Sequence, residues 1–242
     1  MFYYLLQPIL TYNVILIAAA VLPAILLMIK VYHSDHLEQE SPALLRALVI
    51  AGVLSSLLAL VEERILSLIL GRIVPEGSVA YDVLLYFVVV AVSEESSKYL
   101  FLSRRTWRSP EFNCQYDGVV YAVFVSLGFG LWENISYVLS YGFSTAVVRA
   151  VTAIPGHACF GVFMGIFYGV AKKLYNRGDA GGAAFVRVLS VLIPVLLHGT
   201  YDYIASAGTR SGNLYFIAFI ALLFIVSYLL VSRMAKNDRY ID

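Results

Sequence analysis

An all-helical integral membrane protein, with about seven transmembrane helices surrounding a polar intramembrane chamber, is the fold this sequence predicts, on three observations. The chain is 60% hydrophobic with mean hydropathy +0.80, more apolar side chain than a soluble core of 242 residues could hide. Its apolar residues gather into seven stretches, each long enough to cross the roughly 30 Å hydrocarbon layer as a helix. Inside four of those stretches lie six ionisable residues, Glu94, Glu95, Glu133, His157, His198 and Asp202. A charged group at the bilayer centre costs about 2.5 to 3.5 kcal/mol on insertion scales, so these six imply a polar interior that uses them.

The spans are expected at 5–30, 43–70, 80–102, 118–140, 150–172, 185–206 and 213–233, in a single polytopic domain over 1–242. The first lacks a basic flank and runs apolar for about 25 residues, so it reads as a retained helix and not a cleaved signal. Lysines and arginines set the orientation. Twelve lie in the connections after the first, third and fifth spans and in the C-terminal tail, from Lys30 and Arg46 to Lys236 and Arg239. The other side carries three, Arg72, Arg149 and Arg210. The positive-inside rule then puts the N-terminus outside and the C-terminus in the cytoplasm, as an odd number of spans requires. A net charge of +1 points to no nucleic-acid partner. Cys114, in a polar loop, and Cys159, in an apolar span, sit in regions too unlike to suggest a disulfide or zinc knuckle, and are expected as free thiols.

That topology gives each buried polar residue a depth, at about 1.5 Å of rise per residue. Glu94 and Glu95 on the third span lie near or below the midplane, while Glu133, His157, His198 and Asp202 lie towards the outer side. Polar side chains from four helices can thus converge on one water-filled chamber. On the fifth span His157 shares a face with Gly161, Gly165 and Gly169, a small-residue stripe that lets another backbone approach. His198 and Asp202 are i and i+4 neighbours, so the carboxylate can hold one ring nitrogen and aim the other at a metal or substrate. Glu94 and Glu95 point about 100° apart, so they are expected to do different jobs. Lys98, four residues after Glu94, can neutralise it and leave Glu95 as the proton acceptor, though the roles can be exchanged. A carboxylate that takes a proton from water and returns it to a leaving amine is what peptide hydrolysis needs.

Four stretches carry a family resemblance. They are SEESSKYLF (93–101), with Glu94, Glu95 and Lys98; YDGVVYAVFVSLGFGLWENISY (116–137), with Glu133 and Asn134; VRAVTAIPGHACFGVFMGIFYG (148–169), with His157; and LLHGTYDYI (196–204), with His198 and Asp202. Together they resemble the motifs of the PrsW family of bacterial intramembrane proteases, distant relatives of the CAAX-prenyl endopeptidase superfamily. The resemblance covers 80–206, the expected catalytic core. It implies site-1 cleavage of a single-pass membrane protein such as an anti-sigma factor, in the bacterial inner membrane. Two mechanisms stay open. In a metal version Glu133, His157 and His198 bind zinc, a glutamate of the pair is the base and Asp202 supports from behind. In a metal-free version a paired glutamate activates water while His157, His198 or Asn134 stabilises the oxyanion. No His-Glu-x-x-His stretch is present, so a zincin-type site is not expected.

Other features read blandly. Glu62, Glu63 and Arg64 on the second span are expected as an outer interfacial cluster, with an accessory role in the chamber as the alternative. His33 and His36 are expected in a solvated loop. An ion- or proton-coupled transporter would use the same residue types as a relay, but it predicts an inverted repeat with paired broken helices. Pro23, Pro155 and Pro194 do not pair by position in that way. A catalytically dead scaffold would not need every ionisable member of the four stretches.

Overall fold

The computed structural model describes residues 2–241, with side chains from residue 11 onwards. The described residues form an all-α integral membrane protein. Six helical stretches are long and apolar enough to cross a bilayer, namely Thr11–Ser34, Pro42–Ile73, Asp117–Tyr141, Phe143–Asn176, Ala180–Ser206 and Arg210–Lys236. In chain order the helices are α1 (Phe2–Ser34), α2 (Pro42–Ile73), α3 (Val79–Val83), α4 (Val92–Thr106), α5 (Asp117–Tyr141), α6 (Phe143–Val151), α7 (Ala153–Asn176), α8 (Ala180–Ser206) and α9 (Arg210–Lys236). An eight-residue π-helix, Leu84–Ala91, joins α3 to α4, so the third expected span is a composite of three helical pieces over 79–106. Wide π turns recur at functional sites, and this one delivers the chain directly to Glu94 and Glu95.

Local chemistry places the ends. Ser41 accepts from the Leu44 N–H ahead of Pro42, Asp179 from Gly182, and Thr209 from Gly212, each satisfying an N–H that a helix start leaves open. Gly142, at φ 84°, makes the turn between α5 and α6 that a side chain would resist. Hydropathy alone ran the fifth span through one helix beginning near residue 150. The structure instead breaks at Thr152, with φ −122° and ψ −71°, so that α6 ends and α7 begins at Ala153. A window of apolarity carries no information about that dihedral break.

Helix α5 is the centre of the bundle and packs against α7, α2 and α1. Of its apolar window 78% is buried, against 17% for α9, whose Leu214, Ile217, Leu222 and Leu229 face outward where lipid chains would lie. The glycine stripe of α7 lies on α5. A Cβ at Gly165 would collide with Gly118 O and Val119 Cα, and one at Gly161 would stand 2.9 Å from Val123 Cα. Backbone contact of this kind lets van der Waals packing hold helices together where lipid removes the hydrophobic drive. At the opposite end of α5 from Glu133, the C-terminal tail lies along the α4–α5 loop. Ile241 N–H donates to Asn113 O at 2.8 Å and Gln115 N–H to Arg239 O at 3.1 Å.

Candidate active site

Five of the six ionisable residues singled out within the expected spans meet in one cavity of about 250 Å³. Glu94 enters from α4, Glu133 from α5, His157 from the second turn of α7, and His198 and Asp202 from α8. Glu95 is fully buried behind Glu94 and is not on the cavity wall. The 100° offset between neighbouring helical residues produces this division, with one glutamate facing the cavity and the other packed inside.

Lys98 holds the pair together. Its Nζ lies 3.0 Å from Glu94 Oε2 and 2.7 Å from Glu95 Oε1, with no exposure, and 4.0 Å from the centroid of the Phe129 ring. The expectation that Lys98 neutralises Glu94 alone is therefore corrected, because the ammonium sits between both carboxylates. Glu95 Oε1 also meets His198 Nδ1 at 2.9 Å, and the other ring nitrogen faces Asp202 Oδ2 at 3.3 Å. The i, i+4 relation of His198 and Asp202 thus forms as the sequence suggests. His198 also stacks on Phe160, with centroids 4.8 Å apart.

The second half of the site is a chain through Glu133. His157 Nε2 lies 2.7 Å from Glu133 Oε2, and Arg149 Nη2 approaches the same oxygen at 3.1 Å. His157 Nδ1 is 3.5 Å from Lys98 Nζ, which links the two halves. The imidazole fits because α5 has glycine opposite it, where a Cβ at Gly130 would come within 2.7 Å of His157 Cδ2. Asn134 has a different place from the oxyanion role expected. It is fully buried, donates to Ala20 O at 2.8 Å and accepts from Arg149 Nε at 2.8 Å, so it ties α1 and Arg149 to α5 without lining the cavity.

Several functional neighbours escaped the sequence reading. Arg149 had counted only as an outer charge, yet it lines the cavity beside Tyr86, Tyr137 and Tyr201. Glu63 also lines it, and Glu62 accepts from Ser97 at 3.1 Å, so α2 borders the site through the accessory alternative and not the interfacial one. A carboxylate deep in an apolar span was the available signal for Glu63. Arg149 left none, because it sits on a short helix that hydropathy did not resolve.

The zinc trio expected from the resemblance, Glu133, His157 and His198, is not gathered as one ligand set. Glu133 and His157 pair with each other, and His198 turns to Glu95 and Asp202. The set at this end of the bundle whose donor atoms all lie within 4.8 Å of one another is Glu94, Glu95 and His198. Two carboxylates and an imidazole suit a divalent cation. Glu95 Oε2 is buried without a hydrogen-bond partner, and carboxylates at 63, 94, 95, 133 and 202 outnumber the two cationic partners, Lys98 and Arg149. A divalent charge would offset that excess.

Fold and site together define a polytopic helical membrane protein with a histidine and carboxylate centre inside the bundle. Residues 40–231 match the family model described as PrsW family intramembrane metalloprotease. The chain belongs to that family, whose members are hydrolases. It is 33% identical over 197 residues to Protease PrsW of Geobacillus kaustophilus, covering 81% of this chain and 82% of the relative. It is 30% identical over 224 residues to Protease PrsW of Oceanobacillus iheyensis, covering 92% and 97%. Against Protease PrsW of Bacillus subtilis it is 39% identical over 114 residues, 47% of this chain and 50% of the relative. No solved structure matches the chain.

Proposed function

We propose that the chain is an intramembrane endopeptidase that hydrolyses a peptide bond of a single-pass membrane protein, a site-1 type cleavage for which an anti-sigma factor is the fitting substrate. The observation that carries this reading is the convergence of Glu94, Glu133, His157, His198 and Asp202, from four helices, on one polar cavity inside an apolar bundle. An extended peptide strand unwound from a substrate helix is what such a cavity can admit. The excess of lysine and arginine at one end supports an inner-membrane orientation with the N-terminus outside and the cavity in the outer half.

Glu94 is the proton acceptor, in the exchanged assignment of the glutamate pair, because it faces the cavity and Glu95 does not. It takes a proton from water as the water oxygen attacks the scissile carbonyl carbon, and that proton passes to the amine nitrogen as the C–N bond breaks. Arg149, on the wall and held against Glu133, offers its remaining N–H groups to the developing oxyanion, while His157, with its ring nitrogens against Glu133 and Lys98, fixes Glu133 in place. Lys98 and Glu95 position Glu94 and His198 from behind. With Glu94 given to the proton, Glu95 and His198 of the same set would hold a divalent cation, zinc being the one expected. Bound there, it would supply Lewis-acid polarisation of the reacting oxygens.

Cleavage of a reporter single-pass substrate in proteoliposomes tests the reading. Glu94→Gln is expected to lower cleavage by about 10² to 10⁴-fold, the span of a lost general base. Elemental analysis of the same preparations divides the roles. Metal retained with cleavage lost makes Glu94 the base, whereas metal lost with cleavage makes it a ligand and moves the base to Glu133. Full cleavage by both Glu94→Gln and Glu95→Gln overturns the proposal.

A further inference from the structure

The end of the bundle opposite the cavity holds a second buried acidic cluster that the proposed hydrolysis does not use. Asp35 follows the last residue of α1, Glu40 precedes the Ser41 cap of α2, and Asp117 opens α5. All three are buried, with relative exposures of 3%, 5% and 1%, and one oxygen from each lies within 4.8 Å of the others. That separation is about twice a typical Ca–O distance of roughly 2.4 Å. From Asp117 to Glu133 is 16 residues along α5, or about 24 Å, so the two clusters are separate.

What distinguishes this cluster is its unmet charge. Neither Asp35 oxygen nor Asp117 Oδ1 makes a well-formed hydrogen bond, the nearest donors to Asp35 being the backbone N–H groups of Leu37 and Glu38 at poor geometry. Asp117 Oδ2 is already used by the N–H groups of Asn113, at 3.0 Å, and Cys114, at 2.6 Å. No lysine or arginine forms an ion pair with any of the three among the described residues. Burial pushes the Asp35 carboxyl up to about 6 and that of Glu40 up to about 7, with neighbouring carboxylates adding to both. Buried anions are ordinarily paired with cations or bound to metal, and orphaned buried oxygens call for a missing partner.

We propose that Asp35, Glu40 and Asp117 form a binding site for a hard divalent cation of the Ca²⁺ or Mg²⁺ kind, which pins the α1–α2 loop to the start of α5. The oxygen-only donor set selects hard ions over zinc or copper. Cys114, whose thiol lies within reach of Asp117 and Asp238, is no competitor, since burial and the surrounding carboxylates keep it a neutral thiol.

Equilibrium dialysis and thermal unfolding of the purified full chain in detergent, stripped with EDTA and then given about 1 mM Ca²⁺ or Mg²⁺, test the site. Wild type and His198→Ala should each bind one such ion at this site and gain thermal stability from it. Asp35→Asn and Glu40→Gln should each weaken that binding by at least about tenfold. Both should unfold in EDTA no earlier than wild type, which separates a lost ligand from a failed fold. Wild type that binds neither ion, or an equal gain in stability in Asp35→Asn, overturns the proposal. In that case the carboxyls are held by protons and the stability gain appears on acidification alone.

Discussion

At one end of α5 four carboxylates, Glu94, Glu95, Glu133 and Asp202, are each met by Lys98, Arg149, His157 or His198 within 4 Å. At the other end one oxygen from each of Asp35, Glu40 and Asp117 lies within 4.8 Å of the others, with no cationic side chain in an ion pair among the described residues. Packed helices surround the first cluster, and the α1–α2 loop folded onto the start of α5 buries the second. In the first, each of these carboxylates has a cationic or imidazole partner that fixes its geometry, although carboxylates still outnumber the cations there. The second is left open, and a buried anion without a partner calls for one from solution, whether a cation or a proton. Acidic side chains alone therefore do not define the function of a buried cluster; the charges facing them do.

The comparison breaks most sharply at Lys98. Lys98→Met should make the cavity end resemble the other, stranding Glu94 and Glu95, and cost about 3 to 5 kcal/mol in addition to cleavage. Thermal unfolding in detergent reads this, and an unchanged melting temperature would mean the pair does not depend on the ammonium. A smaller effect is expected from Arg149→Met, because Glu133 keeps its contact with His157 while Asn134 loses a donor. A loss of about 1 to 3 kcal/mol, with weaker cleavage, would agree; unchanged cleavage would remove Arg149 from the oxyanion role.

The open cluster should respond to pH in the opposite direction from a paired one. Asp35 and Glu40 bind protons more tightly in the folded chain, near 6 and 7, than at their ordinary values of 3.8 and 4.5. The unfolded chain binds fewer protons between those values, so the stability they contribute is present at acidic pH and lost as pH rises from about 4 to about 7. Unfolding in EDTA should follow that slope, and saturating Ca²⁺ should flatten it. A stability that rises across this window in EDTA would contradict the uncompensated cluster. The smallest effect is expected from Asp35→Asn in EDTA, a gain within about 1 kcal/mol from removing one stranded charge.

The four stretches with buried ionisable residues were legible in the chain, and the cavity gathers all four. Which glutamate of the pair faces the cavity, Glu95 or in the exchanged assignment Glu94, stays open in the chain, because a sequence gives the angle between neighbours and not the rotation of their helix. The structure puts Glu94 on the wall and Glu95 behind it. The same limit hid the divided partners of His157 and His198 and the bracing role of Asn134. Each follows from how α4, α5, α7 and α8 are turned against one another. The acidic cluster was invisible for a related reason. Residues 35, 40 and 117 look like ordinary loop and helix-start carboxylates until the loop after α1 folds onto α5.

Membrane insertion is a sum of local transfer energies, so length and apolarity along the chain determined by themselves that this is a helical membrane protein and roughly where most of its spans lie. The same local cost marked the ionisable residues within those helices as candidates for a site. Charge compensation acts through space and falls off within a few ångströms. Only the tertiary structure could decide that Lys98 binds both glutamates, that Arg149 belongs to the site, and that the carboxylates at the far end of α5 face one another without a cation.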